Sequence, residues 1–278
     1  MKEETAMQEN SSQKMYKIAD AHTHIYPSKI AEKATENVGS FYGVPMKNIG
    51  YPHSLLESGS KINVLKYLVC SVATTPRQVS SINNFIVEKC KKYERFMGFA
   101  TLHPLQEDWE SELERIVQLG LRGVKFHPDF QHFNIDDSTM LPVYKKISQA
   151  KLPILFHMGD ERYDFSSPKR LYNVLQKLPE LTCIAAHFGG YCRWEDAARY
   201  LLCDNLYFDT SSSLWKLTND EATGLIHHFG AEKFMFGTDY PMWSHAEELE
   251  RFLKLKLSDA ENERILHGTF EELFEITL

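Results

Sequence analysis

Eight short apolar runs, each followed by polar residues and a helix-like stretch, constrain this chain more than any other feature. They are YKIADAHTH, KYLVCSVAT, RFMGFATLHP, RGVKFHP, LPILFHMGD, LTCIAAHFGG, NLYFDTSSS and KFMFGTDYP. Apolar residues fall on both alternating positions, as in parallel strands covered on both faces. Between the runs lie amphipathic patterns. After Pro76, Val79, Ile82, Ile86 and Cys90 recur at helical spacing. DWESELERIVQLG and NDEATGLIHHFG end at Gly120 and Gly230, a usual helix stop. A last amphipathic stretch, SDAENERILHGTFEELFEI, closes the chain with Gly268 as its weak point. Eight strands alternating with helices over 278 residues predict an α/β fold, a (β/α)8 TIM barrel. The alternative, an open doubly wound sheet, lacks a GxGxxG after its first strand. The stretch from Ser28 to Lys61, rich in glycine, proline and aromatics, is expected to be a long loop over the barrel mouth.

In a parallel barrel the C-terminal strand ends share one mouth, and barrel enzymes keep their chemistry there. In this chain those ends carry His22 and His24, then His103, then Lys125, His127 and Asp129, then His157 and Asp160, then His187, and last Asp239. Two imidazoles two residues apart point to one strand face, and burying them is costly unless something binds them. Imidazoles with a carboxylate suit one divalent metal, zinc first, with manganese, iron, cobalt or nickel as alternatives. Lys125 and His127 share a parity and are candidates to face a substrate. Trp243 follows the eighth run and is a candidate for the substrate pocket, as are Tyr163, Arg162, Arg193 and Trp194. Asp20, two residues before His22, sits where it could orient a ligand from behind.

The ordered set DAHTH, GVKFHPD, FHMG, AHFGG and GTDYP, running from about Lys17 to Leu278, resembles the amidohydrolase superfamily. More narrowly it resembles the amidohydrolase 2 group of TIM-barrel metal-dependent hydrolases. That group also holds the aminocarboxymuconate-semialdehyde and resorcylate decarboxylase branch. The resemblance implies metal ligation by His22, His24, His157 and Asp239. It implies that His187 bonds the metal's water or a substrate oxygen, and that Asp239 also shuttles a proton. In some relatives a lysine at the place of Lys125 is carboxylated and bridges two metals. The expected activity is hydrolysis of an amide, lactone or ester carbonyl. Non-oxidative decarboxylation by the same ligands is the alternative, and a catalytically silent ligand-binding barrel is a third reading.

Bulk properties exclude other classes. A net charge of −7 without a dense basic cluster argues against nucleic acid, and no basic amphipathic face suggests a membrane surface. Five cysteines without a CxxC pair argue against a disulfide framework and fit a reducing cytoplasm. Residues 1–16 are expected to form a polar tail and 17–278 the barrel domain, with no apolar stretch of a signal peptide at the start. The expected partner is a small-molecule substrate, and a homodimer is expected only on base rates.

Overall fold

The computed structural model describes residues 16–278, so the expected polar tail, apart from Tyr16, lies outside the described residues. Nine strand segments all pair in parallel. They are β1 (Ile18–His24), β2 (Val64–Cys70), β3 (Phe96–Gly98), β4 (Ala100–Thr101), β5 (Val124–Phe126), β6 (Ile154–Phe156), β7 (Cys183–Ala185), β8 (Leu206–Asp209) and β9 (Phe234–Met235). The third apolar run supplies two of them, broken at Phe99. Phe99 N–H still reaches back to Val69 O at 3.0 Å, but Ala100 N–H turns forward to Gly123 O at 2.8 Å. Gly123 makes room for this turn, since a Cβ there would lie 2.3 Å from the Phe99 ring. At the other seam Ala21 N–H bonds Phe236 O (2.8 Å), Asp239 N–H bonds His22 O (2.8 Å) and His24 N–H bonds Tyr240 O (2.7 Å). These bonds join the last strand to the first, and the architecture is the expected TIM barrel.

The segment between β1 and β2 is long, as expected, but it is not bare loop. It carries α1 (Ala31–Tyr42) and α2 (Pro52–Ser60). Ala31, Thr35 and Gly39 recur every four residues and form the buried stripe of α1. Gly39 lets that helix close on the following chain, because a Cβ there would stand 2.8 Å from Met46 and 2.9 Å from Val44 O. Gly43 ends α1 with φ +65°. The residues that read as loop punctuation are therefore the packing and stop signals of a short helix.

The crossovers are α3 (Val79–Lys92), α4 (Trp109–Gln118), α5 (Pro128–Gln131), α6 (Leu141–Gln149), α7 (Pro168–Leu175), α8 (Trp194–Tyr200), α9 (Asn219–Phe229) and α10 (His245–Phe252). The closing stretch is α11 (Asp259–Glu263) and α12 (Thr269–Phe274), joined by a π-helical turn over Arg264–Gly268. The expected weak point, Gly268, falls in that turn. The large apolar core lies between strands and helices, where Phe126, Phe156 and Phe208 are buried. A smaller cluster, which includes Phe99, Leu155 and Ile184, meets Phe274 of α12. No helix among the described residues is long and apolar enough to cross a membrane.

Candidate metal centre and cavity

The end of β1 is fastened before any ligand is placed. Asp20, fully buried, accepts the N–H of His22 (3.0 Å), the N–H of Thr238 (3.1 Å) and the hydroxyl of Thr238 (2.5 Å). One carboxylate thus holds β1 against the segment that presents Asp239. His245 Nε2 stands 3.1 Å from Asp20 Oδ2, the oxygen that takes the Thr238 hydroxyl, and its Nδ1 meets Ser58 Oγ of α2 at 2.8 Å. Asp239 itself has φ +55°, a left-handed conformation that a non-glycine residue holds only when its surroundings enforce it.

His22, His24 and Asp239 each offer an atom to one point, with the three atoms within 4.8 Å of one another. Asp239 Oδ1 lies 3.2 Å from His24 Nε2 and 3.7 Å from His22 Nε2. Donors about 2.1 Å from a shared ion at tetrahedral to octahedral angles stand roughly 3.0–3.5 Å apart, so this spacing fits a divalent metal with little adjustment. The His22 tautomer is set from behind. Its Nδ1 donates to Asp209 Oδ2 at 2.8 Å, which leaves the Nε2 lone pair facing Asp239 and, at 3.2 Å, Lys125 Nζ. Burial first, and Lys125 second, hold the His22 imidazole neutral. For His24 burial opposes the charge, but Cys70 and Asp239 outweigh it and raise the group to about 9. Burial also opposes the Asp239 carboxylate, yet His22 and His24 overcome it and keep the group ionised far below the ordinary carboxylate range.

His157 and His187 give an independent sign of a cation. His157 Nε2 lies 3.0 Å from Gly159 O, and His187 Nδ1 lies 3.1 Å from Ser211 O. Carbonyls only accept, so both of these nitrogens carry hydrogen. Burial, the largest influence on each ring, lowers both pKa values and favours the neutral form. The remaining nitrogens, His157 Nδ1 and His187 Nε2, then face each other at 3.0 Å as two lone pairs. That arrangement is unfavourable unless a positive charge stands beside it.

The cavity above these groups measures about 570 Å³. His22, His24, Lys125, His127, His157, His187 and Asp239 all reach it, so the structure brings these seven strand-end residues together. His157 stands apart from the His22, His24 and Asp239 triad and groups instead with His127 and Asp129. Trp243 does not line the cavity; its indole N–H holds Ser212 Oγ at 3.0 Å, and Ser212 in turn donates to Asp239 Oδ2 at 2.6 Å. Tyr163, Arg162, Arg193 and Trp194 are likewise outside the lining. Asp160 pairs with Arg162 at 2.7 Å. His103 accepts the N–H of Leu105 at 3.1 Å and lies away from the cavity.

Two residues escaped the sequence reading. Asp209, at the end of β8, bonds the His22 imidazole through one oxygen and takes the His187 N–H (3.1 Å) with the other. Its position at the close of the NLYFD run was the available signal. Tyr42, at the end of α1, sends its phenol to His127 Nε2 at 2.9 Å and toward His157 Nε2 at 3.3 Å. Nothing in the sequence around it points to a strand end.

The family model described as Amidohydrolase matches residues 19–276. The chain belongs to this family, and it is an enzyme of the amidohydrolase superfamily. No curated protein sequence matches it. Among solved structures, 5-carboxyvanillate decarboxylase from Sphingomonas paucimobilis superposes with a TM-score of 0.73 at 14% identity, covering 94% of this chain and 99% of that one. Dihydroxybenzoic acid decarboxylase from Polaromonas sp. JS666, with bound manganese and the inhibitor 2-nitroresorcinol, gives 0.74 at 17% identity over 94% and 97%. A TIM-barrel protein from Bordetella bronchiseptica gives 0.72 at 19% identity over 93% and 98%. At such identities these likenesses speak for the amidohydrolase barrel fold.

Proposed function

We propose that this amidohydrolase-family chain is a metal-dependent, non-oxidative decarboxylase of a small aromatic carboxylic acid. The observation that carries the reading is the contrast between the walls and the floor of the cavity. The walls are largely apolar, with the rings of Phe41, Phe85 and Phe130 and the aliphatic Ile82 among them, while imidazoles, Lys125 and Asp239 gather on the floor. A flat apolar acid would bury its ring against the walls and bring its carboxylate to that floor. The activities of the Sphingomonas and Polaromonas structural relatives point the same way.

His22, His24 and Asp239, the triad that the geometry brings together, would hold one zinc or manganese ion, and His157, which groups here with His127 and Asp129, is the fourth ligand that the family resemblance implies. When bound, the ion supplies positive charge against a substrate carboxylate or carbonyl. Lys125, buried beside His22, adds a second positive group to the same floor, although burial weakens its hold on the proton. His187 orients the acid through its Nε2. Asp239 relays the proton: a carboxylate at rest, it takes one from the substrate's own acid group and, binding it so weakly, passes it on readily. The ring carbon takes that proton, the bond to the carboxylate breaks, its electron pair returns to the ring and carbon dioxide leaves. No net oxidation occurs.

Hydrolysis of an amide, lactone or ester uses the same floor and remains the second reading, favoured by the ionised Asp239 as a base toward water. Product analysis separates the two. Manganese- or zinc-loaded protein, given a panel of hydroxybenzoates in heavy water, should release carbon dioxide and leave one deuterium on the ring. Turnover of lactones or amides, with no carbon dioxide from any acid, would replace decarboxylation with hydrolysis.

A further inference from the structure

We infer that Tyr42, delivered by the insert helix α1, is a substrate-binding residue whose phenolic O–H donates to an oxygen of the substrate's reacting group. The argument is an account of protons. His127 Nδ1 accepts the N–H of Phe130 at 3.3 Å, so that nitrogen is a lone pair. The ring is buried, and the neutral form must then carry its hydrogen on Nε2. His127 Nε2 therefore donates to the Tyr42 oxygen at 2.9 Å. His157 Nε2, 3.3 Å from the same oxygen, has its hydrogen committed to Gly159 O. Neither neighbour accepts from Tyr42. Its own hydrogen is left to point into the cavity, beside the rings of the floor. A hydroxyl that receives a hydrogen bond is also a better donor, because the bonds polarise one another.

The placement is built rather than incidental. The Tyr42 ring is wedged between Phe130 at 6.1 Å and Tyr191 at 5.9 Å. Arg162 lies over the ring of the preceding Phe41 at 4.0 Å and donates to the Phe41 carbonyl at 2.5 Å. Asp160 fixes that guanidinium through both carboxylate oxygens, at 3.0 and 2.7 Å. The last turn of α1 is thereby pinned to the loop after β6, and the phenol can reach down to the floor from a segment outside the barrel strands.

The identity of the oxygen as a carboxylate rests on the decarboxylase reading, and the test keeps the two apart. Zinc-loaded wild type and Tyr42→Phe would be titrated calorimetrically with benzoate, a carboxylate probe, and with benzamide, a carbonyl probe, alongside metal content and thermal unfolding. The expected result is benzoate binding weakened roughly tenfold or more in the variant, with unchanged metal content and unfolding temperature. Equal benzoate affinity in both proteins would overturn the role of Tyr42 and leave the acid reading standing. Wild type that ignores benzoate but binds benzamide, with the variant weakened, would keep Tyr42 and overturn the acid reading. Loss of metal in the variant, or binding of neither probe by wild type, would overturn the inference.

Discussion

Asp209 shows how much of a metal centre lies behind its ligands. It is fully buried, and its two oxygens engage His22, the His187 backbone and Ser211 at once. Its role is to keep hydrogen on His22 Nδ1 so that Nε2 is free. Asp209→Asn preserves shape but removes the charge and offers an amide N–H where an acceptor is required. Metal affinity should fall roughly 10- to 100-fold, read by competition with a chromophoric chelator. An affinity within twofold of wild type would show that Asp209 serves packing alone. The candidate ligand residues were legible because histidine at the end of an apolar run is unusual. Asp209 was not, because an aspartate followed by Thr-Ser-Ser-Ser reads equally well as the start of a turn. Trp243 illustrates the converse: its place after the last strand suggested the pocket, whereas its indole supports Ser212 behind Asp239.

Among the elements, the turn after β6 is the least forgiving. Gly159 has φ +79°, and a Cβ there would stand 2.5 Å from Tyr191 O and 2.6 Å from Tyr191 N. Both obstacles are backbone, which cannot swing away as a side chain can. Gly159→Ala should destabilise the protein by about 2–4 kcal/mol in urea unfolding and displace His157, whose Nε2 bonds the Gly159 carbonyl. A stability loss under about 0.5 kcal/mol would mean that the loops at 159 and 191 adjust freely. The strands and most crossover helices could be read from periodicity, since each buries a continuous apolar stripe. The helices of the insert could not. Their stripe is made of Ala31, Thr35 and Gly39, small residues that pack closely without looking apolar. The break at Phe99 also left no mark, because it depends on the space at Gly123 in the next strand.

Across the whole molecule, buried titratable groups set a pH profile for the metal-free protein. Burial lowers His22, His103, His127, His157 and His187 below the ordinary histidine value. Between those lowered values and about pH 6.5 the unfolded chain takes protons that the folded one refuses, so acid removes stability. Asp129, raised to about 7, and Glu248, raised to about 8, both by burial, act in the opposite sense, but they are two groups against five. His24, held at about 9, keeps a proton that the unfolded chain releases above about pH 6.5, so stability falls again as the pH rises through 9. The unfolding temperature of chelator-treated protein should peak near neutrality and drop on both sides; a steady rise down to pH 5 would contradict this assignment. Fold class and the candidate residue types of the metal centre followed from the order of the runs. Cavity shape did not, because it is made by residues distant in sequence. The insert helix makes one wall of that cavity while the barrel strands make its floor. Selectivity and chemistry are thus encoded largely in different stretches of the polypeptide, which meet at Tyr42. A laboratory lineage could exchange the residues of the insert around Tyr42 and Ser58, retune which molecules are admitted, and keep both anchors to the reactive centre.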